Sequence, residues 1–350
     1  MNTIHIFNPE HDLALAANIA NFTAPHAGRQ LRADLGYLPA LWAKNGDYVL
    51  VDDKDAAYNG YRKLKLNYRP DITFVSYDDL KGLFAGKHEI VIKPWGWNVS
   101  LKDKLRRAGV PEDLLPTKVQ LDNIRDLSNR RLAVKLLDTL KNHDGVTGFS
   151  RECESYEEFL IFLDQNKDAV AKAPWSSSGR GVRYMQRETV DTNALQWVSN
   201  TIQRQYSIIA ETRCHKVHDF AVEFIAEPDG SVHACGLSLF TTERGTYTGN
   251  RLATEEEKTE WLFRYINKEL FEGIVSEIEA FLSEAIGRKY TGPLGVDMMI
   301  VAGDEKHAFL LNPCIEINMR CTMGHVALAL SNKGHKGTMK IENGKLKVEN

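Results

Sequence analysis

The chain has 350 residues, enough for two or three domains at about 150 residues each. Its 44 Lys plus Arg against 47 Asp plus Glu leave a net charge of −3, which removes the electrostatic basis for wrapping nucleic acid or lying on an anionic membrane. At 43% hydrophobic and 26% charged, the composition is that of a folded protein with a sizeable core, and no apolar run approaches the roughly 20 residues that cross a bilayer.

The first third alternates short β-branched runs with helical stretches. Ile4 to Phe7, Tyr48 to Val51, Ile72 to Val75 and Ile90 to Ile92 read as strands, and Leu31 to Ala43 and Tyr77 to Phe84 as helices. This alternation predicts a mostly parallel wound sheet. Ligands of such sheets gather past the C-terminal strand ends, where Asn8 to Asp12 and Pro94 to Trp97 fall. Turn chemistry accounts for both segments equally well. Residues 100–117 read as a connector, with Ser100 capping a short basic helix and Gly109, Pro111 and Pro116 preventing its continuation. A first domain of residues 1–115 is expected.

The middle of the chain holds a helix with Arg130, Arg131, Val134, Leu136 and Leu137, then a helix from Tyr156 to Phe162. A strand from Ala169 to Ala173 leads into Pro174-Trp175-Ser176-Ser177-Ser178-Gly179-Arg180-Gly181. From Ser207 the pattern is β-rich: Ser207 to Ala210, Asp219 to Ala226 and Val232 to Phe240, the last two joined by the turn Glu227-Pro228-Asp229-Gly230. An amphipathic region from Thr254 reads as two helices broken near Gly273. The strands Val296 to Val301 and Ala308 to Met319 come next, and Met339 to Val348, with Asn343-Gly344 at its centre, reads as an isolated type I′ hairpin.

Three features carry chemistry. Lys172 ends an apolar strand directly before the Ser/Gly loop, and small residues let backbone N–H groups approach an anion while a lysine adds a point charge. The loop is not a P-loop, because GxxxxGK[ST] does not occur, and taken by itself it reads more readily as a surface turn. In Glu316-Ile317-Asn318-Met319-Arg320, alternate positions share one strand face at roughly 6–7 Å steps. A carboxylate and an amide oxygen so placed suit Mg²⁺, and Arg320 suits an oxyanion, although a half-buried strand often shows such a polar edge for no other reason. Asp297, in Gly295-Val296-Asp297, reaches the Glu316 end if the two strands form a hairpin around residues 303–306. Pro313 then predicts a bulge.

Taken in order over residues 118–330, the lysine-ended strand, Ser/Gly loop, acid-bearing strand, G-x-D and E-x-N-x-R resemble the ATP-grasp superfamily. The resemblance implies an α/β chain, α+β overall. Two α+β ATP-grasp subdomains (116–206 and 207–333) would come after a Rossmann-like pre-ATP-grasp domain, with a C-terminal hairpin at 334–350. It implies that Arg130 or Arg131, Lys172, Ser176, Ser177, Ser178, Gly179 and Gly181 contact ATP phosphates, that Glu211 lies beside adenine, and that Asp219 takes the ribose. The metal, Mg²⁺ or Mn²⁺, would fall to Asp297, Glu316 and Asn318. Lys172, Arg320 and Arg244 would serve catalysis, with Arg251 as a second substrate-binding arginine and Asn8, His11 and Asp12 contributing from the first domain.

The implied reaction is an ATP- and Mg²⁺-dependent ligation in which a small carboxylate becomes an acyl phosphate and is joined to an amine. A small-molecule kinase and a non-catalytic nucleotide-binding regulatory protein are the alternatives. Small-molecule substrates are the expected partners, with no nucleic acid or membrane, and a homodimer is compatible with the resemblance. Cys214-His215-Lys216-Val217-His218 hints at zinc, but no second Cys/His cluster completes it. The start MNTIHIFNPEHD has neither the basic nor the apolar region of a secretory signal. Five scattered cysteines without a CxxC are expected to be reduced thiols in a cytoplasm.

Overall fold

The computed structural model describes the chain except Lys65, residues 87–88, residues 177–180, residues 244–245, Asn343 and Asn350. Arg244, Ser177, Ser178 and Gly179 therefore lie outside the described residues. The chain divides into two compact units: residues 1–126, 248–254 and 319–350 form one, and residues 127–247 and 255–318 the other.

In the first unit the strands β1 (Asn2–Ile6), β2 (Tyr48–Leu50), β3 (Thr73–Val75) and β4 (Ile90–Pro94) build an all-parallel sheet in the order β3-β2-β1-β4. The helices are α1 (His11–Ala17), α2 (His26–Leu35), α3 (Lys54–Lys63), α4 (Tyr77–Ala85), α5 (Val99–Arg107) and α6 (Lys118–Leu127). Ile4, Ile6, Leu50, Ile90 and Ile92 meet Leu80, Leu101 and Leu105 in one core. The predicted helix over Leu31 to Ala43 is instead the end of α2 and a separate 3₁₀ turn at Leu38–Leu41, because Gly36 and Pro39 interrupt it. Asn98, not Ser100, caps α5, its Oδ1 accepting from the Leu101 N–H at 2.9 Å.

The second unit opens with α7 (Arg131–Leu140), β5 (Ser150–Cys153), α8 (Tyr156–Asn166), β6 (Asp168–Lys172), β7 (Val182–Gln186), α9 (Thr192–Gln205) and β8 (Ile208–Thr212). Its first sheet is antiparallel, in the order β5-β8-β6-β7. Phe159, Phe162 and Leu163 of α8 pack beneath it with Val198 of α9.

The chain continues through β9 (Lys216–Ala226), β10 (Val232–Ser238), β11 (Phe240–Glu243) and β12 (Thr246–Leu252). Then come α10 (Glu255–Leu262), α11 (Lys268–Ile286), β13 (Gly292–Ala302) and β14 (Phe309–Asn318). The second sheet of this unit is antiparallel, β10-β9-β13-β14. The helical region breaks before Asn267, whose side chain caps α11, and Gly273 lies inside that helix rather than at the break.

The first unit is completed by the end of β12, α12 (Met323–Asn332), β15 (Gly337–Glu342) and β16 (Lys345–Glu349). The C-terminal hairpin is not isolated: Gly337 to Lys340 of β15 pair with Leu252 to Gly249 of β12. Left alone, it would present a second open edge. Among the described residues no helix is long and apolar enough to cross a membrane.

Candidate active site

The second sheet of the second unit is two-sided. Phe220, Val222, Phe224, Val296, Met298 and Ile300 are buried, and Phe220 meets Phe271 of α11 at 6.2 Å between ring centroids. Strand alternation then turns Asp219 and Glu223 of β9, Asp297 of β13, and Glu316 and Asn318 of β14 to the other face. Asp297 stands directly opposite Glu316 in the register, and Asn318 donates Nδ2 to Asp297 Oδ2 at 3.2 Å.

The expected bulge is present. The register jumps from Asp297 opposite Glu316 to Met299 opposite Asn312, so Pro313, Cys314 and Ile315 together face a single β13 residue. Alongside, the loop at residues 145–148 runs next to β14, with Thr147 N–H donating to Leu311 O at 2.8 Å. Gly148 has φ +109, and a Cβ there would sit 2.5 Å from Asn312 Nδ2, so only glycine fits that contact.

Lys172, at the end of β6 and 8% exposed, reaches across to this bulge: its Nζ donates to Ile315 O at 3.1 Å and pairs with Glu211 Oε2 at 2.7 Å. Glu211 lies opposite Val170, diagonal to Lys172 on the neighbouring strand, so the pair is set by strand register. Arg130, immediately before α7 and 5% exposed, fans its guanidinium over three oxygens. Nη1 donates to Ala173 O and to Ser176 Oγ, each at 2.6 Å, and Nη2 to Glu316 Oε1 at 2.6 Å. Its Nε is buried without a partner. Two cations this deep are stable only because each is met by a carboxylate and by carbonyls.

Gly181 lies against Ala173 and Ser176. Its carbonyl accepts from Ala173 N–H at 2.8 Å, and a Cβ on it would lie 2.2 Å from Ser176 Oγ. Cys314 is buried near Glu211 and Lys172, and burial pushes its thiol well above the usual cysteine range, which keeps it protonated.

The structure thus brings together Arg130, Lys172, Ser176, Glu211, Asp297, Glu316 and Asn318. Arg131 points elsewhere, to Glu152 Oε1 at 3.6 Å. Asp219 shares the polar face but is held by Lys216 Nζ at 2.6 Å and Thr242 Oγ1 at 2.5 Å. Arg320 belongs to the first unit, where its Nε and Nη2 both donate to Asp12 at 2.8 Å. Arg251, also in that unit, is exposed on β12 opposite Thr338. Asn8 donates to Gly96 O at 2.9 Å, and His11 Nδ1 lies 3.2 Å from Asn98 Nδ2.

The Cys-His run does not converge: His218 bonds Tyr265 Oη at 3.1 Å, while Cys214 Sγ lies 3.8 Å from Asn312 Nδ2. Among the described residues no group of three His, Cys, Asp or Glu side chains is placed to hold a metal ion. The set around Asp297 has two carboxylates and one amide, hard oxygen donors of the kind Mg²⁺ takes. Two contributors were missed in the sequence. The Ile315 carbonyl gives no side-chain signal, whereas Glu223, 1% exposed and opposite Gly295, keeps the same alternation as Asp219.

No family model matches the sequence, and no curated protein matches it. Solved structures do. Biotin carboxylase from Campylobacter jejuni, in a β-γ-ATP complex, matches at a TM-score of 0.54 and 13% identity over 99% of this chain and 73% of that one. Pyruvate carboxylase from Rhizobium etli matches at 0.53 and 13% identity, over 96% of this chain and 28% of that one. N5-carboxyaminoimidazole synthetase from Staphylococcus aureus, with ADP, gives 0.47 at 13% identity over 99% and 80%. The sheets, their order of appearance and the likeness to biotin carboxylase agree on one architecture, and the chain has the ATP-grasp fold.

Proposed function

We propose that this chain is an ATP- and Mg²⁺-dependent ligase that activates a small carboxylate as its acyl phosphate and joins it to an amine. The observation that carries the reading is the meeting of Arg130 and Lys172 with Glu316, Asp297 and Asn318 where the two sheets of the second unit face one another. The fold's likeness to an ATP-bound biotin carboxylase supports it.

Arg130 and Lys172 would hold phosphate oxygens, and the buried, partnerless Arg130 Nε is a donor for one of them. Ser176 and Gly181 would contact the same phosphates. Asp297, Glu316 and Asn318 would hold Mg²⁺, which when bound offsets charge on the transferred phosphoryl group. Glu211, now paired with Lys172, would turn to the adenine, and Asp219 to the ribose. The carboxylate oxygen attacks the γ-phosphorus and ADP leaves; the amine nitrogen then attacks the acyl carbon and phosphate leaves. Arg320 and Arg244 would bind the anionic groups of substrate and intermediate.

The test is ADP release with Mg²⁺ across pools of small carboxylic acids and amines, with the product mass measured afterwards. ADP and phosphate formed only when acid and amine are both present, with a condensed product, support the ligase. A phosphorylated product without added amine would replace it with a kinase, and absence of turnover with every pool would leave a nucleotide-binding protein.

A further inference from the structure

The first unit contains a cleft of its own. Its sheet order, β3-β2-β1-β4, places the switch in winding direction between β1 and β4, and the crevice beyond their C-terminal ends is where such sheets receive ligands. The segments after both strands line a cavity there of about 180 Å³, through Asn8 and Glu10 on one side and Asn98, Ser100 and Lys104 on the other. Arg29 and Arg32 of α2 complete it.

The charges in the cleft are unevenly matched. Arg32 is engaged by Glu10 Oε1 and, at 2.8 Å, by Asp52 Oδ2. Arg29 has one protein bond, from Nη1 to Ala24 O at 3.1 Å, and is otherwise exposed. Lys104 lies over the Tyr77 ring at 3.7 Å from its centroid and 3.9 Å from Asp52 Oδ1, a carboxylate it shares with Arg32; burial and then the nearby Arg32 lower its pKa, against Asp52 and Glu10. Against these cations the second oxygen of Glu10, Oε2, is buried and has no hydrogen-bond partner. A buried carboxylate oxygen left unpaired costs free energy that a donor on a ligand would recover.

We propose that this cleft binds a small zwitterion of the α-amino acid class, its carboxylate set against Arg29 and Lys104 and its ammonium against Glu10 Oε2. The cations alone would accept any oxyanion; the orphaned Glu10 oxygen selects one that carries its own donor. Ala14, Phe22 and Leu101 on the wall favour a small apolar side chain. The site lies wholly in the first unit and does not rest on the ligase reading.

The test is calorimetric titration of the full chain, without nucleotide, with each common α-amino acid, and with acetate, inorganic phosphate and propylamine as single-charge probes. The expected result is saturable binding of one or a few small apolar amino acids, with the single-charge probes at least about tenfold weaker. Glu10→Gln and Arg29→Ala should each weaken the amino acid by about tenfold or more. Arg29 is exposed and its variant is expected to fold, so it decides the matter if Glu10→Gln does not. No amino acid binding, or acetate or phosphate binding as tightly as the amino acid, would overturn the proposal, as would unchanged affinity in Arg29→Ala.

Discussion

Lys172 Nζ donates to the carbonyl of Ile315 at 3.1 Å, and the bulge at Pro313–Ile315 takes that carbonyl out of the regular β13–β14 register. The bulge ties the lysine of one sheet to the carboxylates of the other, with Glu316 as the next residue along the strand. Lys172→Met would leave Glu211 without its cation, at a cost of about 3 kcal/mol in stability. Adding Glu211→Gln should restore most of that loss. Urea unfolding checks both expectations, and neither variant should turn over ATP.

Arg130 and Glu316 should be strongly coupled. In a double-mutant cycle with Arg130→Ala and Glu316→Ala, the losses should be non-additive by about 1–3 kcal/mol, because the pair is close and Arg130 is buried. Arg130→Lys keeps the charge but cannot span Ala173 O, Ser176 Oγ and Glu316 together. It should weaken ATP binding about tenfold or more in the same assay that finds Arg131→Lys near wild type.

His11 gives a pH signature to the first unit. Burial lowers its pKa from 6.5 to about 4; Asp12 opposes this and Arg320 adds to it. Between those two values the unfolded chain binds a proton that the native chain refuses, so acidification through that window removes stability, by up to about 3 kcal/mol. His11→Asn should flatten this part of the stability profile, measured by urea unfolding from neutral pH down to about 4.

Gly96 allows that burial. A Cβ at this position would stand 2.6 Å from the His11 ring, so Gly96→Ala should cost about 1–3 kcal/mol. The cost should shrink in a His11→Ala background, as thermal unfolding of the four proteins would show.

Side-chain alternation made the site legible. Asp297, Glu316 and Asn318 occupy positions whose parity is set by the apolar residues between them, and Lys172 ends a strand directly after the apolar run Ala169 to Ala171. The parallel sheet was legible for the same reason: β1 to β4 are short apolar runs separated by helices. What could not be read depends on contacts far apart in sequence. Neighbouring Arg130 and Arg131 differ only in what they face, which tertiary packing decides. The pairing of the C-terminal hairpin with β12 leaves no local mark, and the helix break fell at the Asn267 cap because an exposed Gly273 is tolerated inside a long helix.

The central claim is that Arg130, Lys172 and the Asp297–Glu316–Asn318 face hold ATP with its metal. Titrating ATP into the wild type and the Glu316→Gln and Asp297→Asn variants, with and without Mg²⁺, tests it most directly. Binding should be tighter with Mg²⁺ in the wild type and lose that dependence in both variants. Equal affinity in all three proteins, with or without the metal, would contradict it.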